Sequence, residues 1–278
     1  MRRRILIVVA LAVACGIAAT MASGAGPSPG LSAPSKGLTS GNVQYLAVPA
    51  GSSTSIQVVN RQGGGVLREV TLKGVWGIPL VAFDGTAEGL LADGQTLLLA
   101  QPLFNGQSLR KTTTFALVDV RKMKLKGKIR LKGAFSFDAL SSDGRYLYLI
   151  EYIAAEDPTL YRVRAYDLAK SKLLAKIVAD RKSWETGMQG SPISRSWKDG
   201  WAYTLYGGNA RPFIHALNTR RIEAVCIDMP WKSSPHRLFD FRLGTDRDGH
   251  LVVRGPRGRA LVVIDRQSFR ILSSVANP

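Results

Sequence analysis

Leu140-Ser-Ser-Asp-Gly-Arg-Tyr-Leu-Tyr-Leu149, followed by Tyr161-Arg-Val-Arg-Ala-Tyr-Asp-Leu168, carries the pattern on which the fold rests. Asp143-Gly144 suits a tight turn, because Gly takes positive φ at no steric cost and Asp bonds to nearby backbone. Short runs rich in Tyr, Leu, Ile and Val then read as strands, and Asp167 closes the second of them before a further strand at residues 173–178. Working outward, Asp-Gly recurs before a strand at Asp93-Gly94, Asp199-Gly200 and Asp248-Gly249, giving intervals of 50, 56 and 49 residues. A second marker follows each: Asp119, Asp167, Asn218 and Asp265 each end a strand, with basic residues and another strand next. The half-unit at residues 55–60, ending in Asn60 and followed by a strand at 66–72, has no Asp-Gly before it. Asp84-Gly85 breaks the spacing and is not a repeat marker.

Four strands repeating at about 50 residues predict an all-β protein, a β-propeller of five four-stranded blades, with six irregular blades as the other count. A single blade cannot bury both of its faces, so each packs on its neighbours. A β-sandwich also uses short strands and Gly-rich turns but does not explain two markers recurring in one order. The first unit is one strand short, so closure would draw on a strand from the N-terminal stretch or on a blade built from both ends.

The stretches at residues 140–149 and 161–168 resemble a blade of the bacterial secreted YVTN/WD40-like propellers of the TolB-like, PD40 type. Residues 87–100 resemble it more weakly. The other blades drift, with Ser196-Trp-Lys-Asp-Gly200 and Thr245-Asp-Arg-Asp-Gly249 in place of the small residues before the turn. The resemblance spans most of residues 43–274. It implies the fold; such families differ in role, so it does not imply an activity.

The N-terminus carries an address. Arg2, Arg3 and Arg4 precede an apolar stretch of about 18 residues that ends in small residues near Ala25. Residues 1–25 are read as an export signal, 26–41 as a flexible Pro/Gly/Ser-rich linker and 42–278 as the propeller. The apolar stretch also has the length of a retained anchor, and Cys15 is a lipidation candidate. The expected location is secreted or attached to the cell envelope.

Composition narrows the chemistry. With 38 Lys plus Arg against 20 Asp plus Glu in 278 residues, the net charge is +18. Losing the three N-terminal arginines leaves about +15, which favours weak, salt-sensitive attraction to anionic partners. Lys122, Lys124, Lys126, Lys128, Arg130 and Lys132 alternate with Met123, Leu125, Gly127, Ile129 and Leu131, so a strand would show a basic and an apolar face. This is the candidate contact for an anionic surface; the same lysines would also protect a sheet edge. No aromatic lies among them to stack on bases, which argues against nucleic acid. A second basic set comprises Arg237, Arg242, Arg247, Arg254, Arg257, Arg259, Arg266 and Arg270.

No catalytic, metal or cofactor residues are assigned. There is no Gly-x-Ser-x-Gly elbow. His215 and His250 sit at inequivalent positions and His236 lies in a loop, which argues against a three-histidine metal site. Asp246-Arg-Asp-Gly249 lacks the remaining ligands of a calcium loop. Glu151 and Glu185 are the carboxylates placed to reach a central channel, and Cys226 reads as a small buried apolar residue. The five tryptophans with Phe83, Tyr203 and Tyr206 read as wedges between blades, with a rim pocket for a sugar or peptide as the other reading. These observations lead to a monomeric, non-enzymatic exported propeller without a cofactor. It would bind an envelope protein, peptide or anionic polymer through a rim and a cationic edge. The alternative is a lactonase-like hydrolase or quinone-dependent propeller with a channel site built from loops.

Overall fold

A computed structural model describes residues 28–154, 157, 160–180, 190–208, 211–232, 235–276 and 278. The expected export signal and Cys15 lie outside the described residues. The strands fall into five antiparallel blades in chain order. Blade one is β1 (Leu38–Ser40), β2 (Val43–Ala50), β3 (Ser53–Asn60) and β4 (Val66–Lys73). Blade two is β5 (Thr96–Ala100), β8 (Thr112–Asp119) and β9 (Lys124–Lys132), with a small hairpin of β6 (Phe104–Asn105) and β7 (Ser108–Leu109) between them. Its innermost position holds only a bridge, Leu90 to Leu97. Blade three is β10 (Phe135–Leu140), β11 (Tyr146–Tyr152), β12 (Tyr161–Asp167) and β13 (Lys172–Val178). Blade four is β14 (Ser191–Lys198), β15 (Trp201–Gly207), β16 (Phe213–Asn218) and β17 (Glu223–Asp228). Blade five is β18 (Arg242–Thr245), β19 (Leu251–Arg254), β20 (Ala260–Ile264) and β21 (Ile271–Ser274), preceded by a single helical turn, α1 (Pro235–Leu238).

Each of the two markers has a physical role. Asp143 accepts the Arg145 amide at 3.0 Å, and Gly144 sits at φ 73°, so the pair closes the turn between the two inner strands of blade three. Asp93 accepts the amides of Gln95 and Thr96 in the same place in blade two. Asp199 and Gly200 both have positive φ, the two-residue hairpin that follows strand twist. Gly249 donates back to the Asp246 carbonyl at 3.2 Å. At the far end of each unit, Asn60, Asp119, Asp167, Asn218 and Asp265 accept amides two or three residues on, capping the turn into the outer strand. Four residues after each of these caps, Gly64, Met123, Ser171, Ile222 and Phe269 take the left-handed conformation. In four of the five units the Asp/Asn cap thus holds a non-glycine residue where φ is unfavourable by about 1 kcal/mol.

Replacing Asp143 by Ala together with Gly144 by Val removes the cap bond and forces a branched residue to positive φ. We expect a loss of about 2–3 kcal/mol, or about 5–10 °C in Tm for a domain of this size. A single Lys124→Gln change should move Tm by less than 2 °C or so. Equal melts for the two variants would remove this role for the turn.

Residues 28–41 do not form the spacer that their composition suggests. Ser32 donates to the Ile78 carbonyl at 2.8 Å, Leu31 bridges Pro79, and β1 supplies the inner strand that blade one lacked. Strand pairing needs backbone groups rather than apolar side chains, so a Gly/Ser/Pro-rich stretch can be held on an existing edge. The core lies between blades. Apolar clusters join blade one to two (Ile56, Val58, Leu97, Val118), two to three (Leu98, Phe115, Leu147, Leu149), three to four (Tyr148, Val163, Ala202, Leu217) and four to five (Tyr203, Leu205, Leu251, Val253). No cluster among the described residues joins five to one. The segment 76–90, between blades one and two, crosses the axis: Phe83 and Asp84 donate to the Pro192 and Ile193 carbonyls on the inner edge of β14.

Candidate functional site

The crossing segment brings carboxylates to the middle of the ring. Arg195, midway along β14 and 1% exposed, donates from Nη2 to Asp138 Oδ1 at 2.7 Å and to the Asp138 carbonyl. Its Nε lies 3.4 Å from Glu88 Oε1, which also accepts Trp197 Nε1 at 2.6 Å. Its backbone N–H donates to Asp84 Oδ2 at 3.2 Å, while Asp84 Oδ1 accepts from Thr86. Two carboxylates, Glu88 and Asp138, therefore flank the guanidinium, and a third, Asp84, holds the backbone of the same residue. Burial pushes the Glu88 carboxyl up, against the pull of Arg195 and the Trp197 N–H. Glu88 also floors a recess of about 390 Å³ at the rim carrying the Asp-Gly turns, lined by Leu38, Leu90, Leu140, Ser142 and Trp197. Both Glu88 and Asp138 accept charge-assisted or indole hydrogen bonds. What the geometry supplies is an ion-pair strap holding segment 76–90 to blades three and four.

From Arg195 a polar row runs outward between blades three and four. Arg195, Thr204, His215 and Cys226 stand directly opposite one another across β14, β15, β16 and β17. Burial holds the His215 imidazole neutral, lowering its pKa to about 4, with Asp138 and Asp180 pulling the other way. Burial likewise raises the Cys226 thiol to about 12. At the outer end the Cys226 amide donates to Asp180 Oδ2 at 2.8 Å. A neutral imidazole and a protonated thiol do not make an activated nucleophile. Cys226 is half-buried, lining a groove along β17, rather than fully enclosed.

The basic run occupies the outermost strand of blade two. Lys122, Lys124, Lys126, Lys128, Arg130 and Lys132 are all exposed, whereas Ile129 and Leu131 are buried toward blade three. The alternation is interrupted by a bulge opposite Leu117 and Val118, which leaves Leu125 exposed as well. Lys126 pairs with Asp93 at 3.8 Å and donates to Thr96 Oγ1, and Lys128 lies over the Trp76 ring at 5.4 Å. The remaining four make no ion pair among the described residues.

Other candidates separate. Glu151 does not reach the axis. It is held on blade three by Arg162 and Arg164, both at 2.6 Å, because Arg162 stands directly opposite it across the β11–β12 pair and Arg164 lies two residue pairs along on the same face. Glu185 and Trp184 lie outside the described residues. Asp246, Asp248 and His250 come within 4.8 Å of one another in the blade-five turn, where Asp246 accepts the His250 amide and lies 3.1 Å from its Nδ1. Those bonds account for the cluster as a turn. Trp76 donates to the Lys73 carbonyl and Trp201 stacks on Tyr203, both as packing residues. Asp138 and Arg195, the centre of the axial network, escape a sequence reading built on strand-end acids and basic clusters. Their signal is a carboxylate inside Phe135-Ser-Phe-Asp-Ala-Leu140 and an arginine inside Ile193-Ser-Arg-Ser-Trp197, charges in the middle of buried inner strands.

No family model and no curated relative matches the chain. Its backbone is similar to those of several solved structures. The dihydro-heme d1 dehydrogenase NirN is 14% identical, with a TM-score of 0.50, covering 87% of this chain and 46% of that one. The Myceliophteria thermophila Cps50 (Swd1) β-propeller domain is 11% identical at TM-score 0.48, covering 87% of this chain and 74% of that domain. The Dos1 propeller is 10% identical at TM-score 0.41, covering 81% and 56%. The chain spans about half the length of the first of these. At such identities the likeness is one of architecture, and this chain has the general propeller fold.

Proposed function

We propose that the protein is an exported, non-enzymatic β-propeller that docks on an anionic component of the cell envelope through the outer strand of its second blade. The observation that carries this reading is β9, a solvent-facing edge strand whose basic side chains largely lack acidic partners. Export is supported by the sequence alone, by the arginines and apolar run before Ala25. The hydrolase or quinone-dependent alternative would use a channel carboxylate to exchange protons; here Glu88 Oε1 accepts from Trp197 and Asp138 Oδ1 from Arg195, which favours a structural role for the pair.

Each lysine near an anionic lipid surface contributes about 1 kcal/mol. Replacing Lys124, Lys126 and Lys128 by Gln should therefore weaken co-sedimentation with vesicles containing anionic phospholipid by about tenfold or more at low salt. The melt should change little, since the lost contacts are exposed ones. Retention unchanged at low ionic strength, or a wild type whose retention ignores salt, would sink this reading.

A further inference from the structure

A second basic site stands on the opposite rim, in blade five. Arg242, which begins β18, faces Arg254, which ends β19, directly across the antiparallel pair. Like charges in that position repel unless something lies between them. Both point away from blade four, because their neighbours Leu243 and Val253 fill the core shared with it. Arg242 is pinned: its Nη1 donates to the Phe239 and Phe241 carbonyls at 2.7 and 2.8 Å. That leaves Nε and Nη2 without a partner among the described residues. The turn after Arg254 adds Arg257, held at φ 61°, and Arg259, both exposed. Gly255 donates to the Arg259 carbonyl and Gly258 to the Gly255 carbonyl, so this turn is closed.

None of Arg242, Arg254, Arg257 and Arg259 pairs with a carboxylate among the described residues, in contrast to Arg145, Arg162, Arg164, Arg195 and Arg266. Beside Arg242 lies an exposed aromatic pair. Phe83, from the crossing segment, meets Phe239 edge to face, with ring centroids 5.6 Å apart and exposures of 36% and 41%. A pair of large apolar rings left in water beside the Arg242 guanidinium, which has no carboxylate partner among the described residues, suits a ligand with both characters.

We propose that this rim binds a small phosphate-bearing molecule with an apolar or aromatic body. The oxyanion lies between Arg242 and Arg254 and the body rests on Phe83 and Phe239. A phosphate group fits better than a carboxylate. Its near-double charge matches two guanidinium groups, and its three oxygens accept from more than one fork. This site is in a different blade from the cationic strand and does not depend on it.

The test is titration calorimetry on the full exported chain at low salt and pH 7.5, with phenyl phosphate, inorganic phosphate and benzoate as probes. Phenyl phosphate should bind most tightly, then inorganic phosphate, then benzoate. Arg254→Gln loses only a 3.4 Å contact to the Gly258 carbonyl, so it should fold normally and weaken phenyl phosphate about tenfold or more. Arg242→Lys, which keeps charge but not the fork, should weaken it as well. Phe239→Ala should weaken phenyl phosphate several-fold and leave inorganic phosphate unchanged. The triple Lys124, Lys126 and Lys128 variant should bind as the wild type does. No binding by the wild type, or unchanged binding by Arg254→Gln, would overturn the site. Benzoate binding as tightly as phenyl phosphate would overturn the phosphate class. Loss in the triple lysine variant would reduce the effect to net charge and overturn the site equally.

Discussion

Arg195→Met should lower the unfolding free energy by about 3–5 kcal/mol, because it strands buried Asp138 and largely buried Glu88 without their cation. The two carboxylates were desolvated on folding at a cost that the guanidinium offsets for both, with help from the Trp197 N–H at Glu88. The methionine fills the space but supplies no donor to Asp138. A urea titration reads this as a shift in midpoint with unchanged slope. Adding Asp138→Asn and Glu88→Gln to the same chain should recover most of the loss, since removing all partners of a buried ion pair costs far less than removing one. A midpoint near that of the wild type for Arg195→Met alone would show that the axial network is not a strap.

The second large effect is on pH. His215 has a folded pKa near 4, well below the ordinary histidine value, because burial disfavours the imidazolium. The groups facing it are Asp138 and Asp180, which favour the charge, and Arg195, which opposes it, with the Tyr206 ring edge-on at 6.4 Å. A group whose neutral form is preferred in the fold stabilises fully above its unfolded pKa, about 6.5, and that stability is lost as pH falls toward 4. Integrated over that window the loss approaches about 3 kcal/mol. The His215→Phe variant should show a flatter stability profile between pH 6.5 and 4 than the wild type, measured by urea unfolding at each pH. Parallel profiles would remove His215 as the cause.

The repeating four-stranded unit and the turn positions were legible because they depend on local chemistry, while the count was left between five and six. Asp143-Gly144 and its counterparts close turns through bonds two or three residues away, and Asp119, Asp167, Asn218 and Asp265 cap turns just as locally. The alternation of Lys128, Arg130 and Lys132 with Ile129 and Leu131 is likewise a property of one strand, although the bulge near Gly127 is set by its partner. What was not legible depends on meetings across the ring. Arg195 and Asp138 are 57 residues apart, and Trp197 and Glu88 are 109 apart. Residues 28–41 read as a spacer because their composition is poor in apolar side chains, yet an inner edge already in place offers them backbone partners. The rim site was visible only as scattered arginines. The register that sets Arg242 opposite Arg254, and the contact that brings Phe83 to Phe239, are products of the fold.

The tie between Asp84 and Arg195 spans 111 residues of chain. During synthesis the early hairpins can assemble as they emerge, but the hub of the wheel cannot set until the fourth spoke has arrived. Until then Glu88 lacks the cation, and Asp84 the backbone N–H, that Arg195 brings from the last third of the chain. Completion is thus signalled at the centre rather than at the ends, and a truncated product would keep an acidic, water-filled middle.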